Sequence, residues 1–220
     1  MKAAKKPLII SGTSLQDPAI MEAAAQVAQN LGANAGLTLT VPEVNSMGMA
    51  ILGGQSLEQA FAQDYDTIVI VENDLYRRLP AKQVDAALAK AKDVIVLDHA
   101  ETETVKKANI VLSAASFAEG DGTVVSQEGR AQRFYQVYDA SYYKPEYAIK
   151  ESWRWIHAIE TGVKGQAISW TVLDDVIESV AKNVPALEAI QDVAPNAGFR
   201  VHGLKVAREP RRYSGRTSLR

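Results

Sequence analysis

A chain of 220 residues, 47% of them hydrophobic and 23% charged, is long enough to bury a core and is expected to fold in water as one domain with an appendage. A formal net charge of -2 argues against nucleic acid or a membrane surface as the partner of the whole body, and no apolar run reaches spanning length. Cysteine is absent, which excludes disulfides and any iron-sulfur cluster held by thiolates of this chain.

The opening MKAAKKPLII lacks the long apolar stretch of a signal peptide. Residues 7–12 (PLIISG) read as a buried strand, and Asp17-Pro18 opens a helix with a cap residue followed by proline at the first helical position. Gly32 closes that helix, and Ile20, Ala24, Val27, Ala28 and Leu31 share the face that should lie on a sheet. A second strand is expected at 37–41 (LTLTV), then a loop over 42–55 and a short helix at 57–62. Residues 67–71 (TIVIV) and 94–97 (VIVL) are unbroken apolar runs, the pattern of strands covered on both faces in a parallel sheet. A helix around Val84, Ala87, Leu88 and Ala91 separates them, and a short polar helix near 102–107 precedes a fifth strand at 110–112. Alternating strand and helix predict an α/β fold, a doubly wound and mainly parallel five-stranded sheet.

The most particular stretch is 114–134, AASFAEGDGTVVSQEGRAQRF, with three glycines, three carboxylates and two arginines. Gly120 and Gly122 flank Asp121 as a tight-turn signal, because glycine takes positive φ without a Cβ clash. Thr123 to Ser126 reads as a strand, Gln127-Glu128-Gly129 as a turn and Arg130 onward as a returning strand, which makes a hairpin.

Past the hairpin a helix is expected over 146–160, with Ile149, Trp153, Ile156 and Ile159 at near-helical spacing and Gly162 at its end. Thr171, with Asp174 three residues on, resembles a capping box for a second helix, and Pro185 stops that helix or starts a third. The organisation predicted is an α/β domain over 1–140, a helical appendage over 141–199 and a basic tail over 200–220. That tail holds seven Lys or Arg against one Glu, a charge of +6, so the remainder carries -8. With few aromatics and no helical periodicity, it reads as a linker rather than a nucleic-acid arm.

In a doubly wound sheet ligands sit beyond the carboxyl ends of the strands. The residues there are acidic: Glu43, Glu72, Asp74, Asp98, Glu101, Glu119 and Asp121 outnumber Arg77 and Arg78, a rim that repels a pyrophosphate or pterin phosphate. Gly12, Thr13 and Ser14 are the weak candidates for a phosphate cradle, since the further glycines of a dinucleotide fingerprint are missing, and Glu43 is the matching candidate for a ribose hydroxyl. No catalytic group stands out. Asp98-His99 reads as a loop element, His157 as a packed side chain, and His202 falls in the tail. The three histidines have no metal-ligand spacing, and Glu119, Asp121 and Glu128 lack the order of a calcium loop.

The 114–134 stretch resembles the segment that closes the α/β domain of the molybdopterin oxidoreductase superfamily. PLIISGTS at 7–14, NSMGMAILGG at 45–54, TIVIVENDLYRR at 67–78, VIVLDHAETET at 94–104 and EGRAQRF at 128–134 stand in the order expected of the large iron-sulfur subunits of bacterial NADH-quinone oxidoreductases, the respiratory complex I family. The resemblance implies a Rossmann-like domain from the C-terminal part of such a subunit, whose 2Fe-2S and 4Fe-4S clusters are bound by residues absent here, so that this chain carries no cofactor. It implies a piece of a longer polypeptide, itself soluble, within a peripheral arm on the cytoplasmic side of the inner membrane. Its partners are then the rest of the same subunit and other peripheral-arm subunits, with Trp153, Trp155, Trp170 and Tyr142-Tyr143 as contact side chains and no nucleic acid.

By the same resemblance Glu119, Gly120, Asp121, Gly122, Thr123, Glu128, Gly129, Arg130 and Gln132 are motif positions that shape the loop. Arg130 with Glu119 or Glu128 is the candidate ion pair. The leading function is a non-catalytic structural domain in a subunit passing electrons from NADH towards quinone. The alternatives are a nucleotide- or pterin-binding domain of a molybdopterin-type oxidoreductase, and a partner- or nucleic-acid-binding module using the tail.

Overall fold

The computed structural model describes residues 4–15, 17–139, 142, 144–166, 169–193 and 196; the 200–220 segment, Tyr143, Phe199 and His202 lie outside these. The fold is mixed α/β with parallel sheets. β1 (Leu8–Gly12) runs parallel to β2 (Gly36–Thr40), with Leu8 opposite Gly36 and Gly12 opposite Thr40. Between them, α1 (Pro18–Asn30) starts where its capping residues dictate. The Asp17 side chain accepts from the Ala19 amide, and Pro18 brings no N–H that would need a partner. Ala24 and Ala28 are buried against the ladder, whereas Ile20 and Val27 stay 38% and 41% exposed, so the apolar stripe is only half covered.

The segment expected as loop over 42–55 contains α2 (Ser46–Leu52). Glycine in a helix usually weakens it, but a Cβ on Gly48 would collide with the Asn45 carboxamide. That carboxamide instead reaches across the fold and accepts from the Val125 amide at 2.8 Å. The short α3 (Leu57–Phe61) begins with a reciprocal cap, Gln59 amide to Ser56 hydroxyl at 3.2 Å and Ser56 amide to the Gln59 side chain at 3.0 Å.

β3 (Thr67–Val71), β4 (Asp93–Asp98) and β5 (Ile110–Ser113) form a second parallel ladder. Ile70, Val94 and Val96 on one face pack with Val84 and Leu88 of α4 (Ala81–Leu88) and with Leu75, which makes the main apolar cluster. Central β4 is covered on both sides, with Val94, Val96 and Leu97 at 4% exposure or less, while Val69 and Ile110 on its flanks are 45% and 44% exposed. Hydrogen bonding joins the five parallel strands as a pair and a triple. Alternation and apolar runs predict which faces are buried; they do not name a strand's neighbour.

β6 (Gly122–Val125) and β7 (Ala131–Phe134) make the antiparallel hairpin, turning at Gly129 with φ 77°. Gly122 serves a different purpose from the one read in the sequence. It keeps negative φ, and a Cβ there would stand 2.5 Å from the Phe134 ring, which stacks on Phe117 at a centroid distance of 4.6 Å.

The helix expected from 146 begins later, as α5 (Ser152–Lys164). Gly162 lies inside it, and the stop is Gly165 at φ 66°, a left-handed cap that glycine adopts freely. For α6 (Leu173–Asn183) the carboxylate that turns back is Asp175, accepting from the Thr171 and Val172 amides at 2.6 and 3.0 Å, not Asp174. Leu173, Ile177 and Ala181 join Ile190 of α7 (Ile190–Val193) in a second apolar cluster.

Gly122→Ala should lower stability by about 1–3 kcal/mol through overpacking. Gly162→Ala, mid-helix with no neighbour within 4 Å of its added Cβ, should raise stability, by about 0.5–1 kcal/mol. Urea denaturation of both variants measures the contrast.

Candidate functional site at the strand ends

The carboxylates of the rim turn inward. Glu43, just past β2, is ion-paired to Arg78, whose Nε donates to Asn73 at 3.1 Å. Glu72, at φ 47°, ends β3 in a conformation uncommon for a residue with a Cβ; its amide donates to the Leu97 carbonyl at 2.7 Å and its carboxylate accepts from the Ser152 hydroxyl. Asp74 accepts from the hydroxyl of the fully buried Thr104 at 2.7 Å, and that hydroxyl accepts from the Leu75 amide at 2.8 Å. Asp98 accepts from the His99 and Ala100 amides at 2.7 and 3.1 Å, and Glu119 from the Ser116 amide at 2.9 Å. Of the seven, Glu101 alone makes no hydrogen bond or ion pair among the described residues, and it is exposed. The carboxylates read as a repulsive rim are therefore mostly loop caps, each fixing the connection that follows its strand.

The candidate phosphate residues are used in packing. A Cβ on Gly12 would run into Thr40, so this glycine lets β1 close on β2, and the Thr13 amide donates to the Thr40 carbonyl at 3.1 Å. Ser14 is exposed. The N-terminus of α1 already faces the Asp17 carboxylate. A pterin dinucleotide needs free donors for its phosphates; here the helix end carries the Asp17 anion and Gly12 is closed against Thr40, so the residues present do not fit that group.

The hairpin is fixed by one cation. Arg133 has a side chain at 0% exposure, with Nη1 2.7 Å from Asp174 Oδ1 and Nη2 3.4 Å from Asp121 Oδ2. The ion pair expected at Arg130 is thus made by Arg133. Glu128, Gly129 and Arg130 are exposed at the hairpin tip, and Arg130 makes no ion pair among the described residues. Arg133 stands opposite Thr123, on the face that meets α6. Its signal in the sequence is the alternation of 131–134, which gives residues 131 and 133 the same inward face. Gly120 is buried, and a Cβ there would be 3.0 Å from Glu151, so this glycine admits the start of α5.

Around Asp98, His99, Ser113, Glu119 and Tyr147 remains a hollow of about 480 Å³. Its wall is secured by the Ala115 amide donating to the Lys150 carbonyl at 2.8 Å and by Trp155 Nε1 donating to the Ser113 carbonyl at 2.8 Å. His99 Nδ1 lies 3.4 Å from Asp98 Oδ1. His157, on α5, faces the Trp170 ring at 6.2 Å instead. No serine or threonine at the hollow is bonded to a base, and among the described residues no three His, Asp or Glu side chains converge on a metal position. The Ser116 hydroxyl and amide, with His99 nearby, hold the Glu119 carboxyl below its ordinary range.

Residues 1–160 match the molybdopterin oxidoreductase family. The chain belongs to that family. The G subunit of the NADH-quinone oxidoreductase of Pseudomonas putida is 54% identical to it over 225 residues, covering 99% of this chain and 25% of the relative. The corresponding G subunit of Escherichia coli K12 is 50% identical over 227 residues, covering 100% of this chain and 25% of the relative. The chain therefore spans a quarter of the length of the curated relatives it matches. In this member of the molybdopterin oxidoreductase family the strand ends are bridged by the chain's own side chains.

A lowered Glu119 pKa contributes stability that is complete above the ordinary value of 4.5 and is lost as pH falls through the folded value. Glu119→Gln should flatten that part of the acid limb in pH-dependent denaturation. Thr104→Val should cost about 1–3 kcal/mol near neutral pH, by leaving the buried Leu75 amide unpaired.

Proposed function

We propose that this chain is a non-catalytic structural domain of an NADH-quinone oxidoreductase, in the subunit that passes electrons from NADH towards quinone through iron-sulfur clusters held elsewhere in that subunit. The observation that carries the reading is the internal use of the strand-end groups. Glu43, Glu72, Asp74, Asp98, Glu119 and Asp121 all bind side chains or amides of the chain itself. Identity of 54% and 50% to the two G subunits supports it over the whole length. With no cysteine, the chain offers no thiolate for a cluster.

The finer architecture belongs to the same reading. The two parallel ladders are the halves of one doubly wound five-stranded layer, spanning 1–140 and followed by the helical appendage over 141–199. The Glu43–Arg78 ion pair, which ties the end of β2 to the turn after β3, supports their adjacency. Glu119, Gly120, Asp121, Gly122, Thr123, Glu128, Gly129, Arg130 and Gln132 act structurally, as positions that shape the loop.

The partners are the rest of the subunit and its peripheral-arm neighbours, on the cytoplasmic side of the inner membrane. Leu8 and Ile10 on one face of β1 are 59% and 66% exposed, and Val69 and Val71 on β3 are 45% and 39% exposed, apolar strand side chains open to contact with the rest of the subunit. The tryptophans are less available than the sequence implies: Trp153, Trp155 and Trp170 are half-buried, and Trp153 packs on the second apolar cluster. No helix among the described residues is long and apolar enough to cross a membrane.

Leu8→Glu with Ile10→Glu should abolish co-purification of the full-length subunit with its complex while changing the stability of the 220-residue chain by less than about 0.5 kcal/mol per substitution. Guanosine nucleotides or molybdopterin guanine dinucleotide should leave its melting temperature unchanged. Intact assembly of the double variant, or a clear upward shift with either ligand, contradicts the reading.

A further inference from the structure

The hollow at the ends of β4 and β5 holds negative charge that the chain does not answer. Its walls carry three carboxylates, Asp98, Glu119 and Glu146, and among the described residues no lysine or arginine lines it. The lysines nearest in sequence are engaged on aromatic rings. Lys144 Nζ lies 4.7 Å over Tyr147 and donates to its hydroxyl at 2.9 Å, and Lys150 Nζ lies 4.9 Å over Trp155.

Asp98 is the group that selects a ligand. Its side chain is 5% exposed, and Oδ1 accepts from the His99 and Ala100 amides. Oδ2 makes no hydrogen bond among the described residues, yet it is not sealed from solvent as Asp121 Oδ1 is. A carboxylate drawn out of water with one oxygen unbonded is a standing cost, and a donor that itself carries positive charge relieves it best. The Asp, Glu and His side chains do not converge on one metal position among the described residues, and about 480 Å³ is space for a small molecule rather than a bare ion.

We propose that this hollow binds a small aliphatic cation, an alkyl guanidinium or alkyl ammonium, with its head on Asp98 Oδ2 and its stem directed toward the exposed Tyr147 ring. Glu119 and Glu146 add negative potential around the head, and the open mouth admits a stem of varying length. The site is independent of the scaffold role, which requires no ligand.

Amide-resolved NMR of the 220-residue chain, titrated separately with butylguanidinium and with its neutral isostere butylurea, tests the assignment. Butylguanidinium should shift the His99, Ala100 and Ala114 amide signals and bind about tenfold tighter than butylurea. Asp98→Asn, whose carboxamide oxygen can still accept from the His99 and Ala100 amides, should remove that difference while the circular dichroism spectrum stays unchanged. Glu146→Gln, at an exposed position where the fold is not at stake, should weaken the cation about twofold and leave butylurea unaffected. Absent shifts at these amides with butylguanidinium, equal binding of butylurea, a preference that survives Asp98→Asn, or a cation affinity indifferent to Glu146→Gln overturns the proposal.

Discussion

A guanidinium withdrawn from water must be neutralised where it sits, and this requirement at Arg133 fixes the arrangement of the last third of the described chain. The charge is inside, the two carboxylates that answer it are Asp121 before β6 and Asp174 at the start of α6, and both remain partly accessible. Losing either takes a carboxylate from a buried cation. The hairpin consequently cannot move against the helices without exposing or orphaning that charge. It holds one end of the 114–121 connection, whose other end is tied by Ala114 to Asp98 and by Ala115 to Lys150. The covering of the strand ends is held in part by the contacts of Arg133 with Asp121 and Asp174.

The same logic explains what the acidic residues do. A carboxylate after a parallel strand can face a ligand or cap the next turn, and its geometry decides which. Asp74 and Asp98 accept from amides and hydroxyls of the chain around them, Glu43 meets Arg78, and Glu72 meets Ser152 of α5. Membership of the molybdopterin oxidoreductase family sets the frame in which these bonds stand at the usual place for a ligand. Charge and hydrogen-bond capacity that a binding site would direct outward here point inward.

Much of the framework was readable from residues alone. TIVIV matches β3 residue for residue, Asp17-Pro18 starts α1, and the hairpin falls where Asp121-Gly122 and Glu128-Gly129 place it. These are local signals, set by propensity, caps and turns. What was not legible depends on distant partners. Gly122 and Gly48 are glycines because of the Phe134 ring and the Asn45 carboxamide, contacts invisible to a turn rule. The helix stop moved from Gly162 to Gly165 because only the latter takes the left-handed cap. The structural ion pair moved from Arg130 to Arg133 because register, not motif, decides which arginine faces the helices. Strand neighbours, too, are a long-range property, and the division into a pair and a triple had no local sign.

The clamp itself is open to direct measurement through a double-mutant cycle on Arg133→Met and Asp174→Asn, followed by urea denaturation of the parent, both single variants and the double variant. A charge pair that holds hairpin to helix predicts a coupling energy of about 1.5–3 kcal/mol between the two positions. Effects that add to within about 0.5 kcal/mol would show that Arg133 and Asp174 act independently, and would contradict the account.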